Sequence, residues 1–171
     1  MGLGSARHRS SAAVGWNAPI RFRLLAIGRL RRGPLTELQD LYAARITPPP
    51  AIIELEERRR LPVAELKVRE GELILSALPS AAPFVALDER GILLSSRALA
   101  QRIAAWRDAG SSELAFAIGG ADGLHQTVLD RADVTLSLGS MTWPHFLVRG
   151  MLLEQLYRAQ QILAGHPYHR D

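Results

Sequence analysis

A chain of 171 residues, 47% apolar and 22% charged, has the size and make-up of one globular domain, able to bury about 70% of the surface its unfolded form exposes. It contains no cysteine, which excludes disulfides, thiolate nucleophiles and cysteine-ligated zinc or iron–sulfur sites; no apolar run approaches the roughly 20 residues that span a bilayer. Its 21 Lys+Arg against 17 Asp+Glu leave a net charge of +4, with Lys67 the single lysine, so nearly all the positive charge is guanidinium, the group that forks onto phosphate and stacks on bases.

An RNA partner and a genome that favours arginine codons both account for that bias. The first stretch, "MGLGSARHRSSAAVGWNAPI" over residues 1–20, has no acidic residue and no apolar period. It reads as a disordered arm or a start assigned too early. It lacks the apolar centre of a secretory signal, and Ala6 stands where a myristoylation pattern needs Ser or Thr. With the missing cysteines, this fits a reducing cytoplasm.

From Arg21 onward a single domain is expected, residues 21–171. Short apolar runs predict strands over 22–27, 52–55, 84–87, 114–118 and 134–138. The stretches between them have helical spacing. Leu35, Leu38, Leu41, Tyr42 and Ile46 share one face; Leu99, Ile103 and Trp106 share another, behind Ser95 or Ser96 as N-cap. "TPPPA" and "LPSAAP" are rigid leads into the second and third strands. The longest helix is predicted over 145–163, burying Leu147, Met151, Leu152, Leu156, Tyr157 and Leu163, and ending at Gly165. Five strand–helix alternations predict an α/β fold, a mainly parallel sheet with helices on both faces.

Ligands of such sheets bind beyond the carboxyl ends of the strands. Three ends stand out: "LDERG" after the third strand, "IGGADG" after the fourth and "LGSMTWPH" after the fifth. The paired glycines of IGGADG suit close approach of backbone to a ligand, or only a tight turn. It is neither a Walker loop nor G-x-G-x-x-G. In LGSMTWPH, Gly139 and Ser140 leave the strand and Pro144 sits where a helix would begin. Met141 and Trp143 offer an apolar wall to a flat ring such as adenine, or Trp143 packs in the core.

The chain ends in "AGHPYHRD". His166 and His169 have H-x-x-H spacing, but there are few carboxylates nearby and no helical H-E-x-x-H, so no metal is expected. The end is either a frayed tail or a group of side chains that bind polyanions and move a proton. Arg21, Arg23, Arg29, Arg31 and Arg32 form the densest basic cluster, near the ends of the first strand, either a phosphate-binding surface or a solvated face.

"FVALDERG", "LAFAIGGADGL" and "LSLGSMTWPHFLVRGMLLEQLYRAQQILAGHPYHR" resemble the ribosomal RNA large subunit methyltransferase H family, small SPOUT-class enzymes that methylate N3 of a pseudouridine in 23S ribosomal RNA. The likeness is dense over 84–170 and loose over 21–83, where "LLAIGRL" is similar to the family's opening strand. The resemblance implies a C-terminal trefoil knot, a cytoplasmic homodimer acting on 23S rRNA within the ribosome, no membrane, and S-adenosylmethionine as methyl donor. By position, Leu87, Gly119, Gly120, Gly139, Ser140, Met141, Thr142, Trp143 and Pro144 would hold that cofactor. His169 would accept the proton and Tyr168 orient the base. Arg149 and Arg170 would hold phosphate or developing charge, and His145 and His166 would contact RNA.

This chain departs from the family pattern in having Ala121-Asp122 where Pro-Glu is usual and Trp143 where a smaller aliphatic residue is common. Two other readings share the fold class: a ribosome-binding protein without catalysis, and a flavodoxin-like binding module. The latter wants a phosphate loop after the first strand, for which "IGRLRRGPL" is poor.

Overall fold

The computed structural model describes residues 19–168; nearly all of the expected arm, and His169 and Arg170, lie outside the described residues. Strands and helices alternate: β1 (Arg21–Ile27), α1 (Pro34–Ala43), β2 (Ala51–Leu55), α2 (Val63–Ala77), β3 (Phe84–Leu93), α3 (Ser96–Asp108), β4 (Glu113–Ile118), α4 (Gln126–Arg131), β5 (Val134–Ser137) and α5 (His145–Leu163). The strands make one sheet in the order β2-β1-β4-β3-β5, and every pairing is parallel. The α/β expectation and the positions of all five strands hold.

Alternation along each strand sorts side chains into two apolar layers. Phe22, Leu24 and Ala26 of β1, Val85 and Leu87 of β3, and Leu114, Phe116 and Ile118 of β4 face one core. There they meet Leu99 and Ile103 of α3 and Leu152, Leu153 and Leu156 of α5. The intervening residues, Leu25, Ile27, Phe84, Ala86, Ala115 and Ala117, face a smaller core closed by Ile74 of α2 and Val128 of α4. Each fully buried Leu, Ile or Phe contributes about 1.5–3 kcal/mol of transfer free energy. A strand that feeds both layers therefore reads as a continuous apolar run.

The helix ends follow their sequence signals. Ser95 caps α3, its hydroxyl accepting from the Ala98 N–H at 3.1 Å, and α5 occupies the predicted 145–163.

Two expectations are corrected. The third strand does not stop at Leu87 but runs to Leu93. Leu87 and Ile92 both pair with Leu136, so residues 88–91 bulge out of the ladder. And α5 buries Arg149, Gly150, Leu152, Leu153, Leu156 and Ala159, whereas Leu147, Met151 and Tyr157 are half-buried and Leu163 is exposed. The helix is apolar almost all round, so spacing alone did not select its inner face. Close packing of Leu38 on Gly150 and an ionic anchor at Arg149 select it instead.

Candidate active site

The bulge of β3 and the loops leaving β4 and β5 enclose a cavity of about 520 Å³, within the range of small-ligand sites. Leu87, Gly119, Gly120, Gly139, Met141, Thr142 and Trp143 all line it, whereas Ser140 and Pro144 do not. Trp143 is 40% and Met141 69% exposed, so the tryptophan is a wall of the opening and not a core residue.

IGGADG forms a turn at the edge of the cavity. The Gly123 N–H donates to the Gly120 carbonyl at 3.1 Å, closing a tight turn, and the turn is a wall of the cavity. At Gly119 a Cβ would lie 2.7 Å from the Gly123 carbonyl carbon and 2.9 Å from the Leu124 nitrogen. Both are backbone atoms with no room to yield, so this position requires glycine.

The loops are tied to one another. The Thr142 hydroxyl donates to Glu89 at 3.0 Å, joining the β5–α5 loop to the β3 bulge. The Ser137 hydroxyl donates to the Gly139 carbonyl at 2.8 Å, fixing the exit from β5. Arg90 bonds Asp88 through Nε at 2.9 Å, and this guanidinium holds the Asp88 carboxyl below the usual carboxylate range.

His145, expected to contact RNA, lines this cavity as well. Burial, and then the positive charge of Arg149, lower its pKa, so its imidazole is neutral near pH 7. Lys67, Asp88, Glu89, Arg90 and Asp122 also line the cavity and were not assigned from the sequence. LDERG is one of the three strand ends where a ligand is expected, but its charges alone do not tell a ligand-facing carboxylate from a solvated one. Lys67 comes from α2, which nothing local in the sequence brings to this cavity.

Arg149 is corrected. It is fully buried, so it has no face to offer phosphate. Its guanidinium pairs with Glu54 at 2.6 Å and donates to the Ile27 and Gly28 carbonyls at 2.9 and 2.6 Å. It clamps α5 to the ends of β1 and β2, one turn along the helix from His145.

The basic cluster is also corrected. Arg21 and Arg23 open β1, whereas Arg29, Arg31 and Arg32 follow its carboxyl end, so the five divide between the two ends of that strand and do not make one cluster. Arg23 pairs with Glu113 at 2.8 Å.

At the other end of α5, the Tyr168 hydroxyl donates to Glu154 at 3.3 Å. Its ring packs edge-on against Tyr157 with centroids 4.7 Å apart, and Arg158 lies over it. His166 is exposed and accepts from the Tyr168 N–H at 3.2 Å. Neither Tyr168 nor His166 lines this cavity. Glu154 stands nine positions after His145, about 14 Å along the helix.

A family model described as "Predicted SPOUT methyltransferase" matches residues 20–169, nearly the whole chain. The chain belongs to the SPOUT methyltransferase family. Among its relatives, the "Ribosomal RNA large subunit methyltransferase H" of Rhodospirillum centenum is 55% identical over 151 residues, 88% of this chain and 99% of that protein. The proteins of the same name from Rhodospirillum rubrum and Paramagnetospirillum magneticum are 52% and 50% identical, covering 89% and 88% of this chain and 100% and 99% of their own. In three dimensions the chain is similar to a probable methylase family protein from Haemophilus influenzae. The TM-score is 0.51 at 12% identity, over 91% of this chain and 72% of that one, a likeness of fold.

Proposed function

We propose that this chain is an S-adenosylmethionine-dependent enzyme that methylates N3 of a pseudouridine in 23S ribosomal RNA on the assembled ribosome. The observation that carries the reading is the meeting of all three singled-out loops at one cavity. They meet in a chain 55% identical to a protein named as a ribosomal RNA methyltransferase.

The cavity suits the cofactor chemically. Met141 and Trp143 give a flat ring an apolar wall, and the turns at Gly119–Gly120 and Gly139 present backbone polar groups. Asp88, Glu89 and Asp122 match the cationic sulfonium and ammonium groups, and Lys67 matches the methionine carboxylate. When bound, the cofactor supplies an electrophilic methyl group on sulfur. What the chain contributes is placement, holding the nucleophilic nitrogen about 3–3.5 Å from the methyl carbon in line with the breaking bond, and an acceptor for the N3 proton. His169 is the proposed acceptor, with Tyr168 orienting the base and Arg170 holding phosphate or the charge developing on the ring. His145 lines the cofactor cavity as a neutral imidazole, and Arg149 keeps it there. His166 is left to contact RNA outside the cavity.

The reading includes a homodimer, in which the tail of one subunit completes the cavity of the other, and a C-terminal half threaded as a trefoil knot. The dimer is supported by apolar surface beside the cavity: Leu93 is 67% exposed, Met141 69% and Ile92 47%. Next to them runs a groove lined by Leu38, Leu94, Leu99, Leu138 and Met151, suited to covering by a second copy.

The deciding experiment incubates the protein and labelled S-adenosylmethionine with ribosomes from a strain lacking the modification. Label should appear at N3 of one pseudouridine of the 23S rRNA. Binding of the cofactor by calorimetry without any transfer would leave a ribosome-binding protein, and no binding at all would overturn the reading. In the same calorimetry, Gly119→Ala should weaken cofactor affinity about tenfold or more, since overpacking against backbone costs about 1–3 kcal/mol, while the protein stays folded.

A further inference from the structure

Two arginine-rich loops stand side by side at the rim of the cavity. Residues 28–33 follow β1 and residues 56–60 follow β2, and the pairing of these strands brings the loops together. The Gly28 N–H donates to the Leu55 carbonyl at 2.8 Å, and the Leu30 N–H to Glu54 at 2.8 Å. Arg29 and Arg58 share one carboxylate, Glu56, at 3.6 and 3.9 Å.

The loops hold Arg29, Arg31, Arg32, Arg58, Arg59 and Arg60 against Glu56 and Glu57. Six positive charges less two negative leave +4, equal to the net charge of the entire chain. Arg31, Arg32 and Arg60 are exposed and form no ion pair with another described residue. Arg59 is held by Glu57 through two bonds at 3.0 and 2.8 Å, but the pairs of Arg29 and Arg58 with Glu56 are long and exposed at the arginine, 66% and 77% in the side chain, and bonds of that kind contribute little. A polyanion displaces them at low cost.

The surface is also continuous with the candidate active site. A cleft of about 760 Å³ lies between Arg29, Arg31, Arg32, Glu56 and Phe146. A second, of about 440 Å³, runs from Arg59 and Arg60 to Gly120, Asp122 and His145. The last three also wall the cofactor cavity.

We propose that the loops after β1 and β2 form one phosphate-binding saddle that grips the RNA backbone beside the target base, on the same subunit as the cofactor cavity. This rests on the reading above and adds where the substrate is held. Five guanidiniums on two abutting loops, Arg59 being held by Glu57, suit a run of phosphates, and Arg29 and Arg58 let go of Glu56 as RNA arrives.

The test compares two double variants of the full chain, binding to ribosomes being measured without methyl donor across a range of salt. Arg31→Ala/Arg60→Ala removes two guanidiniums from the saddle; Arg21→Ala/Arg131→Ala removes equal charge at the amino-terminal end of the sheet. Each phosphate contact contributes about 0.7–0.9 to the slope of log affinity against log salt. The saddle variant should therefore lose about 1.5 from the slope and bind roughly tenfold more weakly at low salt. Its cofactor affinity should be unchanged. The amino-terminal variant should keep the wild-type slope. Glu56→Gln should bind ribosomes more tightly, having freed Arg29 and Arg58.

An unaltered slope in the saddle variant, equal losses in both double variants, or weaker binding in Glu56→Gln would each overturn the proposal. Salt-dependent binding through the saddle without methylation would leave the saddle standing and remove the enzymatic reading. Methylation with an unaltered slope would do the reverse.

Discussion

His169→Ala is expected to slow methyl transfer by a factor of about 10²–10⁴ while leaving ribosome and cofactor affinities within a few-fold of wild type. N3 of the base becomes a nucleophile only as its proton leaves, so a positioned acceptor lowers the barrier directly. An unperturbed histidine, with a pKa of about 6.5, is half-ionised close to working pH. The nearby alternatives are less suited. Burial, and then the charge of Glu154 and the proximity of Tyr42, raise the pKa of Tyr168, which leaves the phenol protonated, a donor and not a base. Burial and the charge of Arg149 lower the pKa of His145, and it lines the cavity proposed for the cofactor.

The pH profile separates the two histidines. With His169 as acceptor, His169→Ala flattens the rise of turnover with pH. With His145 as acceptor the rise falls at lower pH, in keeping with its depressed pKa, and it persists in His169→Ala but not in His145→Gln. A variant that loses ribosome affinity and keeps its turnover would reduce the tail to a positioning element. Full turnover in His169→Ala would remove it from the chemistry.

How far the sequence was legible depended on the range of the forces involved. Strands such as LAFAI were plain because burial on both faces leaves an unbroken apolar run. The span of α5 was plain because Pro144 and Gly165 bracket it. Its inner face was not, since packing on Leu38 and pairing with Glu54 are choices made by distant partners. Strand order was equally hidden: only the placing of β2 beside β1 joins the arginines of residues 29–32 to those of 58–60, and local spacing carries no trace of that. The three loops of the cavity could be read because parallel sheets bind at their carboxyl ends. Lys67 escaped because it arrives from another layer.

The second large effect belongs to Arg149, whose loss is expected to unsettle the fold more than the chemistry. Its side chain is fully buried and satisfies three acceptors at once: a Glu54 oxygen and the carbonyls of Ile27 and Gly28. Arg149→Ala takes this donor from both carbonyls and leaves the Glu54 carboxylate without its cation, although that oxygen keeps the Leu30 N–H. Removing one partner of a buried pair costs about 3–5 kcal/mol, and because the Glu54 side chain is 32% exposed and regains water, the lower figure applies. About 3 kcal/mol lowers Tm by on the order of 10 °C in a domain of this size.

Arg149→Lys should recover only part of this, because an ammonium on a flexible stem lacks the planar fork that spans carboxylate and carbonyls together. Adding Glu54→Gln to Arg149→Ala tells the two contributions apart. The double variant should regain whatever came from the orphaned charge, and the remaining deficit measures the two carbonyls at the end of β1. Cofactor affinity should fall as well, since the clamp that holds His145 beside the cavity is gone. A melting temperature in Arg149→Ala within 2 °C of wild type would mean that water replaces the guanidinium at little cost, and the clamp would then have no part in shaping the site.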